Sequence, residues 1–159
     1  MDTLTLAHKT FLTELLQSGV AFMLIGGYAV NYHGYPRYTS DMDIWLKPDE
    51  ENKKLFAEFL RQKNFNAESV QHILSLDFSI ANAFHLGKDE TRIDFLTRIS
   101  GVNFDDAYIV KVLFPLGDKQ IPVINFEHLI ANKMLSARLK DKADVEELQQ
   151  VNKYRDNKI

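Results

Sequence analysis

Two glycines and two aspartates in LIGGYAVNYHGYPRYTSDMDIWL, residues 24–46, have the types and spacing that point to chemistry. Gly26 and Gly27 end an apolar run, so the backbone there approaches a ligand without a Cβ in the way. The N–H groups of a helix that follows such a turn point at the ligand and favour an anion such as phosphate. An ordinary tight turn between a strand and a helix is the alternative.

Asp41 and Asp43 begin the apolar run DMDIWL. Side chains alternate between the faces of a strand, so both carboxylates point to one face while Met42 and Ile44 pack on the other. Neighbouring like charges repel unless a cation lies between them, and paired carboxylates suit Mg²⁺, which completes its shell with water and substrate phosphates. The alternative is that Asp41 caps a turn and Asp43 is solvated at the strand end.

The segment TRIDFL, residues 91–96, places a third carboxylate in an apolar strand. Asp94 lies on one face of this strand, and its neighbours Ile93 and Phe95 lie on the other. If this strand neighbours the other, Asp94 joins Asp41 and Asp43. Three carboxylates around two divalent ions are the usual device for in-line displacement at phosphorus.

Hydrophobic periodicity and turn residues predict the elements that position these side chains. Strands are predicted at 21–25, 41–46, about 91–96 with a partner before the turn at 87–90, and in a hairpin of 110–114 with 120–124. Helices are predicted at 4–18, 28–34, 49–63, 103–110, 126–139 and 142–152. The expected fold class is α/β (α+β), with a mixed β-sheet flanked by helices. We expect a single domain over 1–159, with a core of about 20–124 and C-terminal helices of about 125–153.

The spacing of the glycines and aspartates resembles a known signature. Gly26-Gly27, thirteen intervening residues, Asp41-Met42-Asp43 and a later Asp94 resemble the DNA-polymerase-β-like nucleotidyltransferase superfamily. The form GGYAV…RxTSDxDI is most similar to its bacterial abortive-infection and toxin-type branch. The resemblance rests on residues 22–46 and 90–97, with a looser part over 122–148.

The resemblance implies transfer of a nucleoside monophosphate from an NTP such as ATP to an acceptor hydroxyl, by two-metal catalysis with Mg²⁺ or Mn²⁺. It makes Asp41, Asp43 and Asp94 the expected catalytic and metal-binding residues. The expected nucleotide-binding residues are Gly26, Gly27, Arg37, Thr39, Ser40 and Lys133. The acceptor is RNA, a protein or a small molecule, and a partner protein or a homodimer completes the cleft. Arg37 and Thr39 have the alternative role of ordering their loop.

Four further polar residues are interpreted from their positions in the predicted helices. Lys133 lies in the apolar stripe of a predicted helix, which is costly unless its ammonium reaches water or an anion. Snorkelling to the helix edge is the alternative to a phosphate contact. Asp141 and Asp144 are interpreted as the capped N-terminus of the last helix. His33 is interpreted as a helix surface residue.

Two other function classes compete with the transferase. A catalytically idle member would bind nucleotide or a partner protein as an antitoxin-like module. A metal-dependent nuclease would also use clustered carboxylates, but it needs no glycine turn for a triphosphate. The sequence has no Gly-x-Ser-x-Gly elbow and no Walker loop, which argues against a serine hydrolase and a P-loop NTPase.

The overall composition limits the remaining possibilities. The net charge of −3 provides no global basic field for non-specific binding to nucleic acid. The absence of cysteine excludes disulfides and thiolate zinc sites and fits a reducing compartment. Because we find neither a signal peptide nor an apolar run long enough to cross a bilayer, we expect a cytoplasmic protein without a membrane partner.

Overall fold

The computed structural model describes residues 4–158. The strands are β1 Phe22–Ile25, β2 Met42–Leu46, β3 Ala83–Leu86, β4 Ile93–Leu96, β5 Val112–Leu116 and β6 Lys119–Val123. The α-helices are α1 Leu6–Gln17, α2 Gly26–Tyr32, α3 Glu50–Gln62, α4 Ala67–Ser75, α5 Phe104–Ile109, α6 Phe126–Met134 and α7 Leu139–Asp156. A short 3₁₀ helix, Asp89–Thr91, precedes β4. The predicted fold class, a mixed sheet flanked by helices, is confirmed.

The strands form one sheet in the order β3-β4-β2-β1-β6-β5. The central strand β2 pairs with β1 in antiparallel and with β4 in parallel orientation. Strand β6 pairs with β1 in parallel and with β5 as a hairpin. The predicted hairpin and the predicted proximity of β2 and β4 are therefore both present. This order brings the C-terminal end of β1 next to the N-terminal ends of β2 and β4.

Alternating side chains give the sheet two differently packed faces. On one face, Phe95 of β4 lies against Phe56 of α3 and Phe11 of α1, with ring centroids 5.0 and 6.1 Å away. On the other face, Trp45 of β2 packs edge-on against Phe104 of α5, with the ring centroids 5.0 Å apart. The Trp45 Nε1–H donates to the Thr97 carbonyl over 3.1 Å, which satisfies the buried indole. Both faces of the central strands are therefore covered.

The structure corrects three details of the predicted helices. Helix α4 was not predicted: it has only nine residues, and only Val70 and Ile73 of it are buried. Helix α2 begins at Gly26 itself, not after the glycine pair. Helix α6 ends at Met134, earlier than the predicted boundary near 139. None of the helices within residues 4–158 is both long and apolar enough to span a membrane.

The start of the last helix also differs from the prediction. Helix α7 begins at Leu139, after Arg138 in the N-cap position, and no side chain caps it. The interpretation of Asp141 and Asp144 as a capped N-terminus is therefore wrong. Both carboxylates lie inside the helix and are buried.

Candidate active site

The sheet register places two of the three predicted carboxylates side by side. Asp43 of β2 is directly opposite Asp94 of β4 in the parallel pair, so both side chains are on the same face of the sheet. Asp43 is also opposite Ile25, the last residue of β1. Asp41 lies just before β2 and lines a cavity together with Asp43 and Asp94. Strand pairing therefore brings together carboxylates that are far apart in sequence.

Each glycine of the pair makes room for a polar side chain of the protein itself. Gly26 has a φ of +65°, and a Cβ there would overlap Oδ2 of Asp43. A Cβ at Gly27 would overlap Oγ1 of Thr39. The glycines thus allow Asp43 and Thr39 to pack directly against the first turn of α2. This close approach is a physical reason for the Gly-Gly pair beyond the two given by the sequence, which were room for a ligand and an ordinary tight turn.

The electrostatics of the carboxylates favour a bound cation. Burial, followed by the neighbouring charges of Asp94 and Asp41, raises the pKa of Asp43 from 3.8 to about 6. Asp94 Oδ1 accepts a hydrogen bond of 3.0 Å from Arg92 Nε. Within residues 4–158, no three Asp, Glu, His or Cys side chains are already grouped as a set of metal ligands. The chemistry of the aspartate oxygens nevertheless fits Mg²⁺ or Mn²⁺, because like charges next to each other are relieved by a cation.

Two cavities meet at Asp43 and Asp94. The smaller, of about 130 Å³, is lined by Gly26, Gly27, Arg37, Thr39, Ser40, Asp41, Asp43, Asp94, Lys133, Arg138, Lys140 and Asp141. It therefore contains every site residue that the sequence predicted. The larger, of about 570 Å³, extends along β3 and β4 to the α6–α7 turn and includes Arg92, Arg98 and Asn132. Besides Asp43 and Asp94, the two cavities share Gly26, Lys133, Arg138 and Asp141.

The two helices that begin at the smaller cavity lack a side-chain cap. Five of the α-helices within residues 4–158 start with a side chain that accepts from a first-turn N–H, for example Asn125 at α6. Helices α2 and α7 have no such hydrogen bond. Backbone N–H groups of a first turn without a cap are free to bind an anion. The longer of the two helices, α7, thus adds donors to the wall formed by Arg138 and Lys140.

An ion-pair network with buried carboxylates, which we call the α7 network, forms part of the cavity wall. It consists of Arg37, Lys133, Arg138, Asp141 and Asp144. The Lys133 ammonium lies 2.8 Å from Asp141 Oδ1 and 2.9 Å from Asp144 Oδ2. Arg37 donates from Nε and Nη2 to the two oxygens of Asp144 over 2.7 and 2.9 Å. Arg138 Nε donates to Asp141 Oδ2 over 2.8 Å.

This network corrects the snorkelling interpretation of Lys133. The side chain of Lys133 is only 5% exposed and its charge is matched by two carboxylates. Burial alone would raise the pKa of Asp141, but hydrogen bonds from Lys133, Ser136 and Arg138 outweigh it and lower the pKa to about 2. The pKa of Asp144 is also lowered, because hydrogen bonds from Arg37 and Lys133 outweigh its burial. A direct contact between Lys133 and phosphate stays a prediction.

Sequence reasoning missed several residues around the two cavities. Arg138 and Lys140 flank the start of α7, and the segment RLKDKAD was the signal that would have indicated them. Arg92 and Arg98 gave no comparable pattern. His33, interpreted as a surface residue, is 7% exposed, and its Nε2 lies 2.8 Å from the Ile124 carbonyl oxygen. It joins α2 to the end of β6 and lines neither cavity.

A family model decides the class of the protein. The model described as "Nucleotidyl transferase of unknown function (DUF2204)" matches residues 5–159. The chain belongs to this nucleotidyl transferase family. The match confirms the resemblance to nucleotidyltransferases, whereas the abortive-infection and toxin-type branch stays a prediction. Among curated proteins, no sequence matches that of this chain.

Solved structures support the same fold. A lincosamide antibiotic adenylyltransferase, LnuA, in its lincomycin-bound form, superposes with a TM-score of 0.54 at 15% identity, covering 89% of this chain and 94% of the other. An antigenic nucleotidyltransferase-like protein from Paracoccidioides brasiliensis gives a TM-score of 0.52 at 13% identity, covering 90% and 72%. At these sequence identities, the similarity of this chain to the two solved structures concerns the fold alone.

Proposed function

We propose that this protein transfers a nucleoside monophosphate from an NTP to an acceptor hydroxyl and releases pyrophosphate. The observation that carries the proposal is the junction of the two cavities at Asp43 and Asp94. One cavity is small and bounded by glycines, hydroxyls, four cationic side chains and four carboxylates. The other is larger. A transfer reaction needs such a pair of adjoining sites, because donor and acceptor must meet at one phosphorus atom.

The smaller cavity suits the triphosphate. Thr39 and Ser40 line it with hydroxyl groups, and the first turn of α7 offers backbone N–H groups without a side-chain cap. Arg138 and Lys140 add positive charge at the same wall. Together these groups bind an anion of high charge and orient its α-phosphorus toward Asp43 and Asp94.

The larger cavity suits the acceptor. In the proposed reaction the acceptor hydroxyl oxygen attacks the α-phosphorus, the bond from that phosphorus to the bridging oxygen breaks, and pyrophosphate leaves. Asp94, on the shared wall, accepts the proton of the hydroxyl. The cavity is lined by Arg92, Arg98, His85 and Asn132, which orient the acceptor by polar contacts.

Asp41, Asp43 and Asp94 would hold the divalent cation, Mg²⁺ or Mn²⁺. When bound, the cation would offset the negative charge of the phosphates and increase the acidity of the acceptor hydroxyl. The three carboxylates contribute oxygen atoms to the wall of the smaller cavity. The raised pKa of Asp43 indicates that cation binding and proton release are linked at this residue.

A labelling experiment tests the proposal. Purified protein would be incubated with each [α-³²P]NTP, Mg²⁺, and lysate fractions containing RNA, protein or small molecules. Label should enter one fraction. The amount incorporated should fall at least about 10²-fold with the variants Asp43→Asn and Asp94→Asn. Asp118→Asn is the control, because its side chain is 88% exposed on the β5–β6 turn. No labelled fraction with the wild-type protein would contradict the proposal.

The same experiment separates the transferase from its alternatives. An idle antitoxin-like module would bind the NTP without forming pyrophosphate. A nuclease would shorten RNA and leave the [α-³²P]NTP intact. The small cavity with its glycines, hydroxyls and cations favours the transferase over the nuclease.

A further inference from the structure

The α7 network contains a residue that affects the cleft without lining it. Asp144 is 1% exposed and contributes to neither cavity, whereas its partners Arg37 and Lys133 line the smaller one. Its two carboxylate oxygens bind Arg37 in a bidentate pair. Such a pair fixes both the position and the orientation of a guanidinium group.

The segment held by Arg37 has little regular structure of its own. Residues 35–41 lie between α2 and β2 without helix or strand. The Arg37 N–H donates to Asn31 Oδ1 over 3.0 Å, and Thr39 Oγ1 donates to the Asp41 carbonyl over 3.3 Å. The Arg37–Asp144 pair links this segment to a helix more than one hundred residues away in sequence.

The segment 35–41 carries three groups that the proposed function requires. Thr39, Ser40 and Asp41 line the smaller cavity. Thr39 packs against Gly27 so closely that a Cβ there would overlap its hydroxyl. A shift of Arg37 would therefore move a hydroxyl and a carboxylate at the nucleotide site.

We propose that Asp144 is a positioning residue for nucleotide binding: through Arg37 it fixes the segment 35–41 over the first turn of α2, and through Lys133 it fixes α7 against α6. The proposal rests on the proposed function for its link to the nucleotide. It assigns Lys133 a part in the same device, since the lysine joins Asp141 to Asp144. Removing the charge of Asp144 loosens the segment even if the helix stays folded.

A double-mutant cycle with Arg37→Gln and Asp144→Asn tests whether the two residues act as a unit. Calorimetry would measure binding of the α,β-methylene NTP analogues in Mg²⁺, below the melting temperature of each variant. Asp144→Asn should weaken the best analogue at least about tenfold. The loss of binding free energy in the double variant should be smaller than the sum of the two single losses, because both substitutions act on the path through Arg37. Fully additive losses would overturn that path. Wild-type affinity in folded Asp144→Asn would overturn the proposal.

Lys53→Met is the matched control for a loss of stability. Lys53 is another buried cation, 8% exposed, whose ammonium lies 2.8 Å from Glu50 and donates to the Leu76 carbonyl. It lies on α3 and lines neither cavity. Lys53→Met should lower the melting temperature and leave analogue affinity unchanged. An equal loss of affinity in this variant would show that general destabilisation, and not positioning, explains Asp144→Asn.

Hydrogen exchange of the free protein provides a test that does not depend on the nucleotide. Asp144→Asn should speed exchange in residues 35–41, whereas Lys53→Met should not. Unchanged exchange there would overturn the positioning role. Failure of the wild-type chain to bind any analogue would instead overturn the proposed function, and the exchange result would still decide the role of Asp144.

Discussion

At the scale of single residues, the glycine pair and the aspartates are mutually dependent. Gly26 has no side chain where Asp43 lies, and Gly27 has none where Thr39 lies. The carboxylate of Asp43 consequently packs against the end of β1 with two other aspartates nearby. Burial is the largest cause of the raised pKa of Asp43, and the neighbouring charges of Asp94 and Asp41 raise it further.

Gly26→Ala tests this close packing. Gly117 is a matched control, because its φ of +63° is almost the same as the +65° of Gly26 and a Cβ there meets nothing within 4 Å. Both alanine variants carry the strain of the left-handed backbone. Gly26→Ala should lose about 1–3 kcal/mol more in the free energy of unfolding, because it also overlaps Asp43. Equal losses in urea unfolding would mean that Asp43 moves aside freely.

Asp43→Asn should stabilise the metal-free protein at neutral pH. The folded-state pKa of about 6 exceeds the unfolded value of 3.8, so ionisation of Asp43 destabilises the fold as the pH rises through 6. The gain on substitution should reach up to about 3 kcal/mol at high pH. It should vanish below 3.8, where the carboxyl is protonated in both states. Urea unfolding across this pH range would measure it, and a gain that does not depend on pH would contradict the raised pKa.

At the scale of elements, α6 and α7 are joined by charge as well as by packing. The ammonium of Lys133 on α6 is bound by two carboxylates of α7, and Arg37 from the α2–β2 connection binds one of them. A buried pair contributes little net stability when intact, but its disruption leaves an uncompensated buried charge. The positions of the helices around the cleft are thus sensitive to any one member of the α7 network.

Lys133→Met should therefore destabilise the protein, by about 3–5 kcal/mol, although methionine has a similar volume. The variant leaves Asp141 and Asp144 buried with less positive charge around them. Thermal unfolding at neutral pH would measure the loss. Adding Asp141→Asn to Lys133→Met should recover part of it, since one of the buried charges is then removed. A lysine that only snorkels would give a melting temperature close to that of the wild type.

At the scale of the whole molecule, the sequence predicted local features better than contacts between residues far apart in the chain. The alternation around Asp43 and Asp94 predicted two strands and their polar faces, and the structure places these strands side by side in parallel. The pairing of Lys133 with Asp141 and Asp144 was not predictable, because a helical pattern shows that a charge lies in an apolar stripe but not what it meets. Helix α4 was missed since only Val70 and Ile73 mark its buried side.

Nucleotidyl transfer moves the α-phosphorus of the NTP to the acceptor, and two phosphorus labels distinguish it from other reactions of the NTP. Parallel reactions with [α-³²P]NTP and [γ-³²P]NTP would be run with Mg²⁺ and the acceptor fraction. The α-label should appear in the acceptor and the γ-label in pyrophosphate, in equal amounts, and Asp43→Asn should give neither product. Transfer of the γ-label to the acceptor, or its release as inorganic phosphate alone, would contradict nucleotidyl transfer by this protein.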